Sequence, residues 1–258
     1  MRHRRPVPVT LLHRWAPWIW VVLLLTAGVA HTQQQPRQGP PAAKREPANV
    51  MSWEGAAWLE RAGRAQQEKP EVVIKAMKIR AGMTVADIGA GTGFFTRRLA
   101  KAVGPTGKIY AEDIQPQMLD LLRKDMEKEG IKNVVTVLGT DTDPKLPAHG
   151  IDRFLLVDVY HEFQKPEPML ASIRESLAPG GTVILVEYRL EGDTASYINI
   201  KHRMSVEQVL KEWNAAGFEL ADRIETLPSQ HVFIFSARRG ARVLGAEEKP
   251  KADAKPPA

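Results

Sequence analysis

The sequence contains no cysteine among its 258 residues. This absence excludes disulfide bridges, cysteine-ligated zinc or iron–sulfur sites, thiolate nucleophiles and a lipid-modified N-terminal cysteine. The 43 % of hydrophobic and 26 % of charged residues suit one ordinary globular domain with tails. They exclude a polytopic membrane protein, a collagen and a fully disordered chain.

The folded part of the chain lacks an excess of positive charge, although the net charge is +6. Residues 1–50 carry seven Lys/Arg and one acidic residue, and residues 239–258 carry five Lys/Arg and three acidic residues. The remaining stretch, 51–238, has 24 Lys/Arg against 26 acidic residues, a net charge of −2. The basic character therefore belongs to the termini, and no nucleic-acid partner is expected.

The first thirty residues have the pattern of a targeting segment. Four arginines precede a 16-residue apolar run, Trp15–Ala30, which ends in small residues. This pattern predicts a secretory signal peptide. A bilayer needs about 20 apolar residues, so the run is short for a permanent span, but its three tryptophans also suit an uncleaved anchor at the membrane interface.

We therefore expect an exported protein, either periplasmic or membrane-anchored; in the anchored case residues 15–30 provide the membrane association. A start near Met51 would instead give a cytoplasmic protein. Residues 31–50 are rich in Pro and Gln and predict a disordered linker, and 239–258 predict a disordered tail. The domain itself is expected to span residues 51–238.

Within residues 51–238, apolar strands alternate with helical stretches. Helices are expected at 52–68, 70–78, 94–103, 116–129, 166–177 and 205–216, and strands at 84–88, 108–113, 134–138, 152–158 and 182–188. This alternation predicts an α/β fold with a mostly parallel sheet. The last two strands, 219–226 and 231–237, have no helix between them and predict an antiparallel hairpin.

The most informative stretch joins the first of these strands to a helix through three glycines, Gly89, Gly91 and Gly93. Such a turn lets backbone amides approach a ligand at a helix N-terminus. Phe94 stands where the dinucleotide-binding pattern G-x-G-x-x-G needs its third glycine, which weighs against NAD or FAD. Asp87, two residues before the first glycine, is placed to hold either a cationic amino group or the amides of the loop itself.

Here the sequence resembles the class I S-adenosylmethionine (SAM)-dependent methyltransferases, over about residues 70–238. The resemblance implies a Rossmann-like, doubly wound, seven-stranded sheet of strand order 3-2-1-4-5-7-6, with SAM as the cofactor. Its signatures occur in the family's order and end with Leu177-Ala178-Pro179-Gly180-Gly181, expected as a turn before strand 5.

The resemblance also implies which residues contact SAM. Residues 85–93 match the family's motif I, with Asp87 as its acidic residue, and contact the methionine part of SAM. Asp113 binds the ribose, and Ile114 packs on adenine. At the end of strand 3 the adenine contact is ambiguous between Thr140 and Asp141. The expected cofactor-binding residues are Asp87, Gly89, Ala90, Gly91, Gly93, Asp113, Ile114, Thr140, Asp141 and Asp158.

The acceptor side is expected just after strand 4, because ligands of open α/β sheets lie beyond the carboxyl ends of the strands. Asp158, His161 and Glu162 stand there in a segment resembling the Asp-x-x-His-Glu stretch of bacterial small-molecule methyltransferases. His161 is the predicted base, and Asp158 and Glu162 are placed to orient either His161 or the substrate. His202 is predicted to reach the same end as a lid residue.

Two further groups of residues bear on metal binding and on packing. A metal site would need His161, His202 and Glu187 to converge; no close ligand spacing supports it, so none is predicted. His231 is expected to be structural.

A small-molecule acceptor is expected because the sequence lacks a signature of family members that act on other acceptors. The sequence has no Asn/Asp-Pro-Pro-Tyr/Phe run, which marks family members that methylate amino groups in DNA. Two rival functions stay open, an NAD-dependent oxidoreductase and an exported SAM- or nucleotide-binding module without turnover. The acceptor atom and the oligomeric state are left open.

Overall fold

The computed structural model describes residues 45–238. The predicted signal or anchor segment, most of the predicted linker and the predicted tail lie outside the described residues. Within the described part, no helix combines the length and the hydropathy that a membrane span requires.

A single sheet with a seven-strand path forms the centre of the described domain, in the order β3-β2-β1-β4-β5-β8-β7. Its strands are β1 (Thr84–Ile88), β2 (Lys108–Asp113), β3 (Val134–Leu138), β4 (Ile151–Val157), β5 (Leu177–Arg189), β6 (Arg203–Met204), β7 (Phe218–Ile224) and β8 (Gln230–Ala237). Strands β1 to β5 are parallel, whereas β8 pairs antiparallel with β5 and β7. The predicted Rossmann-like fold and its strand order are confirmed. The two-residue β6, beside β5, is an addition.

Helices pack against the sheet, and the third, fourth and fifth of them connect consecutive parallel strands. They are α1 (Arg64–Glu68), α2 (Pro70–Ala76), α3 (Phe94–Val103), α4 (Pro116–Lys128), α5 (Pro166–Ser176) and α6 (Val206–Ala215). Three of them begin with proline, whose fixed φ suits a first helical turn. Helix α6 begins after Ser205, whose side chain accepts a hydrogen bond from the N–H of Gln208.

The expected long helix over residues 52–68 is not continuous. It consists of a 3₁₀ helix, Trp53–Glu60, followed by the short α1. Gly63 between them has φ +83°. Glycine adopts this left-handed conformation at little energetic cost, and it ends the first helix here. The 3₁₀ helix places Trp58 and Leu59 over the carboxyl ends of the strands, where both line a cavity.

The segment Leu177–Gly181, expected as a turn, is instead the beginning of β5. Leu177 pairs with Ile151, and the register then shifts before Thr182 pairs with Arg153. Gly180 has φ +77° within this irregular stretch. The proline and the glycines therefore bend a continuous strand rather than interrupt it.

Residues 45–50, assigned from the sequence to the linker, contact the domain directly. The guanidinium of Arg45 donates to the backbone carbonyls of Tyr160 and His161, both at 2.9 Å, and pairs with Glu212 at 3.1 Å. The N–H of Ala48 donates to the same carbonyl of His161 at 2.9 Å. The described domain therefore begins at Arg45, six residues before the predicted boundary. The side chain of Arg45 and the backbone of Ala48 hold this segment, a feature that composition does not reveal.

Candidate active site

The loop between β1 and α3 is tightly enclosed, so its glycine positions have no room for side chains. Gly89, Gly91 and Gly93 have φ values of +65°, +55° and +90°. A Cβ on Gly89 would overlap a methyl group of Val159, and a Cβ on Gly91 would lie 2.7 Å from Cδ1 of Leu59. The backbone of this loop is thus enclosed by the segments that follow β4 and precede α1.

Asp113, at the end of β2, is hydrogen-bonded to the glycine loop. One carboxylate oxygen accepts from the N–H of Gly91 at 3.0 Å, and the other accepts from the N–H of Gln115 at 2.9 Å. Burial raises the pKa of Asp113, while these backbone donors oppose the rise. The predicted ribose-binding carboxylate and the predicted methionine-binding loop therefore form one hydrogen-bonded unit.

Asp87 lies buried on the other side of the same loop. The hydroxyl of Thr96 donates to its carboxylate at 2.6 Å. Burial raises the pKa of Asp87 to about 7. A cationic ligand group placed beside it would favour the charged carboxylate.

Glu112, which the sequence prediction missed, is a further buried carboxylate at this site. It accepts a weak hydrogen bond from the N–H of Gly89 at 3.4 Å, and a Cβ on Gly139 would overlap its carboxylate. Burial, followed by the charge of Asp113, raises the pKa of Glu112 to about 8. Its position beside the predicted residue Asp113 was the available signal.

A cavity of about 480 Å³ extends from the glycine loop to the loops after β4 and β5. Every predicted site residue lines this cavity except Gly93. Gly93 lies under α4, where a Cβ would be 3.1 Å from Cγ of Leu122. Its missing side chain therefore allows close packing of α4.

The residues predicted to contact adenine differ in how they are held. Ile114 is 43 % exposed and lines the cavity. The Thr140 hydroxyl accepts from the N–H of Asp143 at 3.0 Å, while Asp141 pairs with Lys165 at 2.7 Å. Both positions line the cavity, so the choice between Thr140 and Asp141 stays open.

Asp158 follows β4 and has an unusual backbone conformation for a residue with a side chain, with φ +50°. One carboxylate oxygen accepts from the side-chain amide of Gln230 at 2.7 Å, while the other is buried without a hydrogen-bond partner among the described residues. Burial, then the charges of Glu68 and Glu187, raises the pKa of Asp158. Sequence reasoning missed Gln230, for which no motif gave a signal.

Glu187, His161 and His202 form a hydrogen-bonded chain at the acceptor side. The Nδ1 atom of His161 lies 2.6 Å from the Glu187 carboxylate, which also accepts from the backbone N–H of His161 at 3.3 Å. The Nε2 atom of His161 lies 3.0 Å from Nδ1 of His202. Burial alone would lower the pKa of His161, but the charge of Glu187 raises it overall. Burial and the neighbouring imidazole lower the pKa of His202.

The structure thus places both predicted histidines together, although 41 residues separate them. His161 does not face the cavity alone, because its outer nitrogen meets His202. Glu162 completes the cluster, since one ligand atom each from His161, Glu162 and His202 lies within 4.8 Å of the others. Burial raises the pKa of Glu162 to about 7.

His231 lies apart from this cluster. Its ring nitrogens lie 2.8 Å from the carboxylate of Glu225 and 3.1 Å from that of Glu191. It is 4 % exposed and does not line the cavity. These contacts fit the expected structural role.

Comparison with known proteins identifies relatives of this chain. Over 110 residues the chain is 34 % identical to a protein-L-isoaspartate O-methyltransferase of Methanococcoides burtonii, covering 42 % of this chain and 51 % of that protein. Also over 110 residues, it is 32 % identical to a ubiquinone/menaquinone biosynthesis C-methyltransferase of Burkholderia vietnamiensis, covering 43 % and 45 %. The chain therefore spans about half the length of these curated relatives.

Solved structures agree on the fold. A SAM-dependent methyltransferase from Aquifex aeolicus matches with a TM-score of 0.68 and 24 % identity, covering 72 % of this chain and 98 % of that one. A TehB-like SAM-dependent methyltransferase from Corynebacterium glutamicum matches with a TM-score of 0.55 and 18 % identity, covering 72 % and 98 %. The sequence model of the methyltransferase domain matches residues 79–231, more than half of the chain. With its glycine loop, buried acidic residues and strand order, this chain belongs to the methyltransferase-domain family.

Proposed function

We propose that the protein binds SAM in the described cavity and transfers its methyl group to a small-molecule acceptor. The observation that carries the proposal is the hydrogen-bonded unit of Asp113 and the glycine loop, which faces one cavity with His161 and His202 at the acceptor side. When bound, SAM supplies an electrophilic methyl carbon, which bonds to the acceptor atom while its bond to sulfur breaks and the electron pair stays on sulfur.

The residues present fit SAM in size and charge. The cavity of about 480 Å³ lies in the range of small-molecule sites, roughly 300–1,000 Å³. Asp87 suits the cationic amino group, and Asp113 suits the ribose hydroxyls. The unpartnered oxygen of Asp158 is a buried acceptor that a polar or cationic ligand group would satisfy.

The chain contributes mainly alignment and acceptor orientation. The enclosed glycine loop fixes one end of the donor, and Asp113 fixes the ribose end. The Glu187 carboxylate holds Nδ1 of His161, which sets the position of that ring and, through it, of His202. Such positioning favours an in-line approach of the acceptor, which is the principal means of catalysis for a displacement of this kind.

A small-molecule acceptor is supported by the enclosure of the site. Trp58, Leu59 and Tyr197 line the cavity from the segments before β1 and after β5, so the acceptor side is partly covered. The net charge of −2 over residues 51–238 gives no support for a nucleic-acid acceptor. The relative from Methanococcoides burtonii makes a protein acceptor the main competing class.

Transfer of labelled methyl groups tests this proposal. The full chain is incubated with methyl-labelled SAM and a cell extract, which is then separated into low-molecular-mass and macromolecular fractions. We expect label in the low-molecular-mass fraction, and its loss with the Asp113→Ala variant. Label confined to protein would favour a protein acceptor, while absence of any transfer despite cofactor binding would favour a binding module without turnover.

We also propose that residues 1–30 direct export or membrane anchoring. The support is the basic segment, the apolar run Trp15–Ala30 and the small residues at its end. Cell fractionation of the full chain and of a variant without residues 1–30 tests it. We expect only the full chain outside the cytoplasm or in the membrane fraction; equal cytoplasmic location of both would contradict the proposal.

A further inference from the structure

We propose that His161, His202 and Glu162 bind a divalent transition-metal ion of the zinc type at the acceptor side of the cavity. The ligand atoms are Nε2 of His161, Nδ1 of His202 and a carboxylate oxygen of Glu162. They come from two segments of the chain, the 3₁₀ helices Tyr160–Glu162 and Ile200–His202. The sequence predicted no metal site, because positions so far apart show no ligand spacing.

The distances among these atoms suit a shared ion. The two imidazole nitrogens are 3.0 Å apart, and one ligand atom from each of the three residues lies within 4.8 Å of the others. Nitrogens bound at about 2.0–2.1 Å to a tetrahedral ion lie roughly 3.3–3.4 Å apart, so only a small adjustment is needed. Two imidazoles and one carboxylate form a ligand set that zinc adopts in catalytic sites.

Two of the three ligands are already held by outer partners. The Glu187 carboxylate accepts from Nδ1 of His161 at 2.6 Å, which leaves the lone pair on Nε2 turned towards His202. The backbone N–H of Met51 donates to the Glu162 carboxylate at 3.1 Å. A carboxylate behind a ligating histidine and a hydrogen bond to a ligating carboxylate are the usual outer contacts of metal sites.

The local charge also favours a cation. Glu187 is fully buried, and Asp158 keeps a buried oxygen without a partner among residues 45–238. Together with Glu162 they place three carboxylates around two imidazoles. A divalent cation would offset the mutual repulsion of these groups at short range.

The chemical consequence of this metal site rests on the proposed function. Three protein ligands leave a coordination position open towards the cavity, which is the arrangement of catalytic rather than structural zinc sites. A hydroxyl, phenol or enol oxygen bound there would lose its proton to solvent more readily and reach the methyl group as an anion. The site therefore indicates an acceptor that is methylated through oxygen or through an enolate.

The test uses untagged, full-length protein treated with a chelator and then titrated with Co²⁺, followed by visible absorption and calorimetry. We expect the metal-free protein to bind one Co²⁺ per chain and to show ligand-field absorption bands. Zn²⁺ should displace the Co²⁺ and abolish these bands. His202→Asn and Glu162→Gln should weaken binding by more than about 100-fold, and Glu187→Gln by roughly 10- to 100-fold as an outer partner. His149→Asn, an exposed histidine outside the cavity, is the matched control.

Equal Co²⁺ binding by the wild type, His202→Asn and His149→Asn would overturn the metal site and leave a hydrogen-bonded imidazole pair. Absence of Co²⁺ binding in the wild type would do the same. Circular dichroism confirms that each variant is folded. S-adenosylhomocysteine is titrated into the same metal-free samples, so failure of the metal site with intact ligand binding is distinguished from failure of the proposed function.

Discussion

The carboxylate of Asp113 accepts a hydrogen bond from the backbone N–H of Gly91 at 3.0 Å, across 22 residues of sequence. The residue proposed to bind the ribose thus also orders the loop proposed to bind the methionine part of SAM. The second oxygen of the same carboxylate holds the N–H of Gln115, at the start of α4. The two halves of the proposed cofactor site are therefore linked through this carboxylate.

Removal of the Asp113 side chain should weaken cofactor binding. Each charge-assisted hydrogen bond contributes about 1.5–3 kcal/mol, so Asp113→Ala should raise the Kd for S-adenosylhomocysteine by at least roughly tenfold. Asp113→Asn keeps one acceptor oxygen for the loop and should lose less. Calorimetry measures both, with the exposed Asp120→Ala as control. An unchanged Kd for Asp113→Ala would contradict the ribose assignment.

The substitution Gly89→Ala should be more disruptive than the same substitution at Gly130, a more open glycine. Gly89→Ala places a Cβ against Val159, whereas Gly130→Ala meets nothing within 4 Å at a similar φ, +68° against +65°. Both variants carry the backbone strain of a left-handed alanine, about 1–2 kcal/mol, and only Gly89→Ala adds a steric cost of about 1–3 kcal/mol.

Urea unfolding and S-adenosylhomocysteine binding measure this difference. We expect a larger loss of stability and of binding for Gly89→Ala than for Gly130→Ala. Val159→Ala in the Gly89→Ala background should restore part of both, because it removes the overlapping methyl group. Indistinguishable behaviour of the two single variants would show that the loop is not tightly enclosed.

Loss of the Glu187 carboxylate should destabilise the domain. Glu187→Ala leaves the buried Nδ1–H and backbone N–H of His161 without an acceptor, at a cost of about 1–3 kcal/mol each. Glu187→Gln keeps a carbonyl oxygen and should cost less. Denaturant unfolding gives the comparison, with the exposed Glu219→Ala as reference. Wild-type stability of Glu187→Ala would argue that the chain of hydrogen bonds is dispensable.

Cofactor affinity should depend on pH through Asp87. Burial raises the pKa of this carboxyl to about 7, so it is largely protonated in the free protein below that pH. A cationic amino group favours the charged carboxylate and lowers its pKa in the complex, so binding releases protons at acidic pH. Affinity for S-adenosylhomocysteine should therefore rise with pH up to about 7.

Calorimetry in buffers of different ionisation enthalpy measures the proton release directly. Asp87→Asn should bind S-adenosylhomocysteine more weakly at neutral pH. Its affinity should also lose most of its pH dependence between pH 5 and 7, roughly the range over which such a carboxyl titrates. Proton uptake by the wild type, or an identical pH profile in Asp87→Asn, would contradict the placement of the cationic group at Asp87.

The central strands were predictable because they are mostly buried on both faces. The expected strand over 84–88 agrees with β1 (Thr84–Ile88), and that over 108–113 agrees with β2 (Lys108–Asp113). The helix over 52–68 was not predictable in the same way, because its outer position gives little periodicity and Gly63 interrupts it. Leu177–Gly181 was misread because proline and glycine indicate a turn, yet here they bend a strand.

The cofactor side of the site was more accessible to sequence reasoning than the acceptor side. Asp87 and Asp113 follow directly from motifs next to strands. The contact between His161 and His202 depends on how two loops fold over the sheet, and nothing in local spacing encodes it. Gln230 reaches Asp158 from β8 for the same reason, since pairing between distant strands creates the contact.

Calorimetric titration of the full chain with S-adenosylhomocysteine, with NADH as the control ligand, tests the central claim most directly. The account predicts one S-adenosylhomocysteine bound per chain and no binding of NADH. Binding of NADH alone would support an oxidoreductase, and binding of neither ligand would contradict the assignment of the glycine loop and Asp113 as a cofactor site.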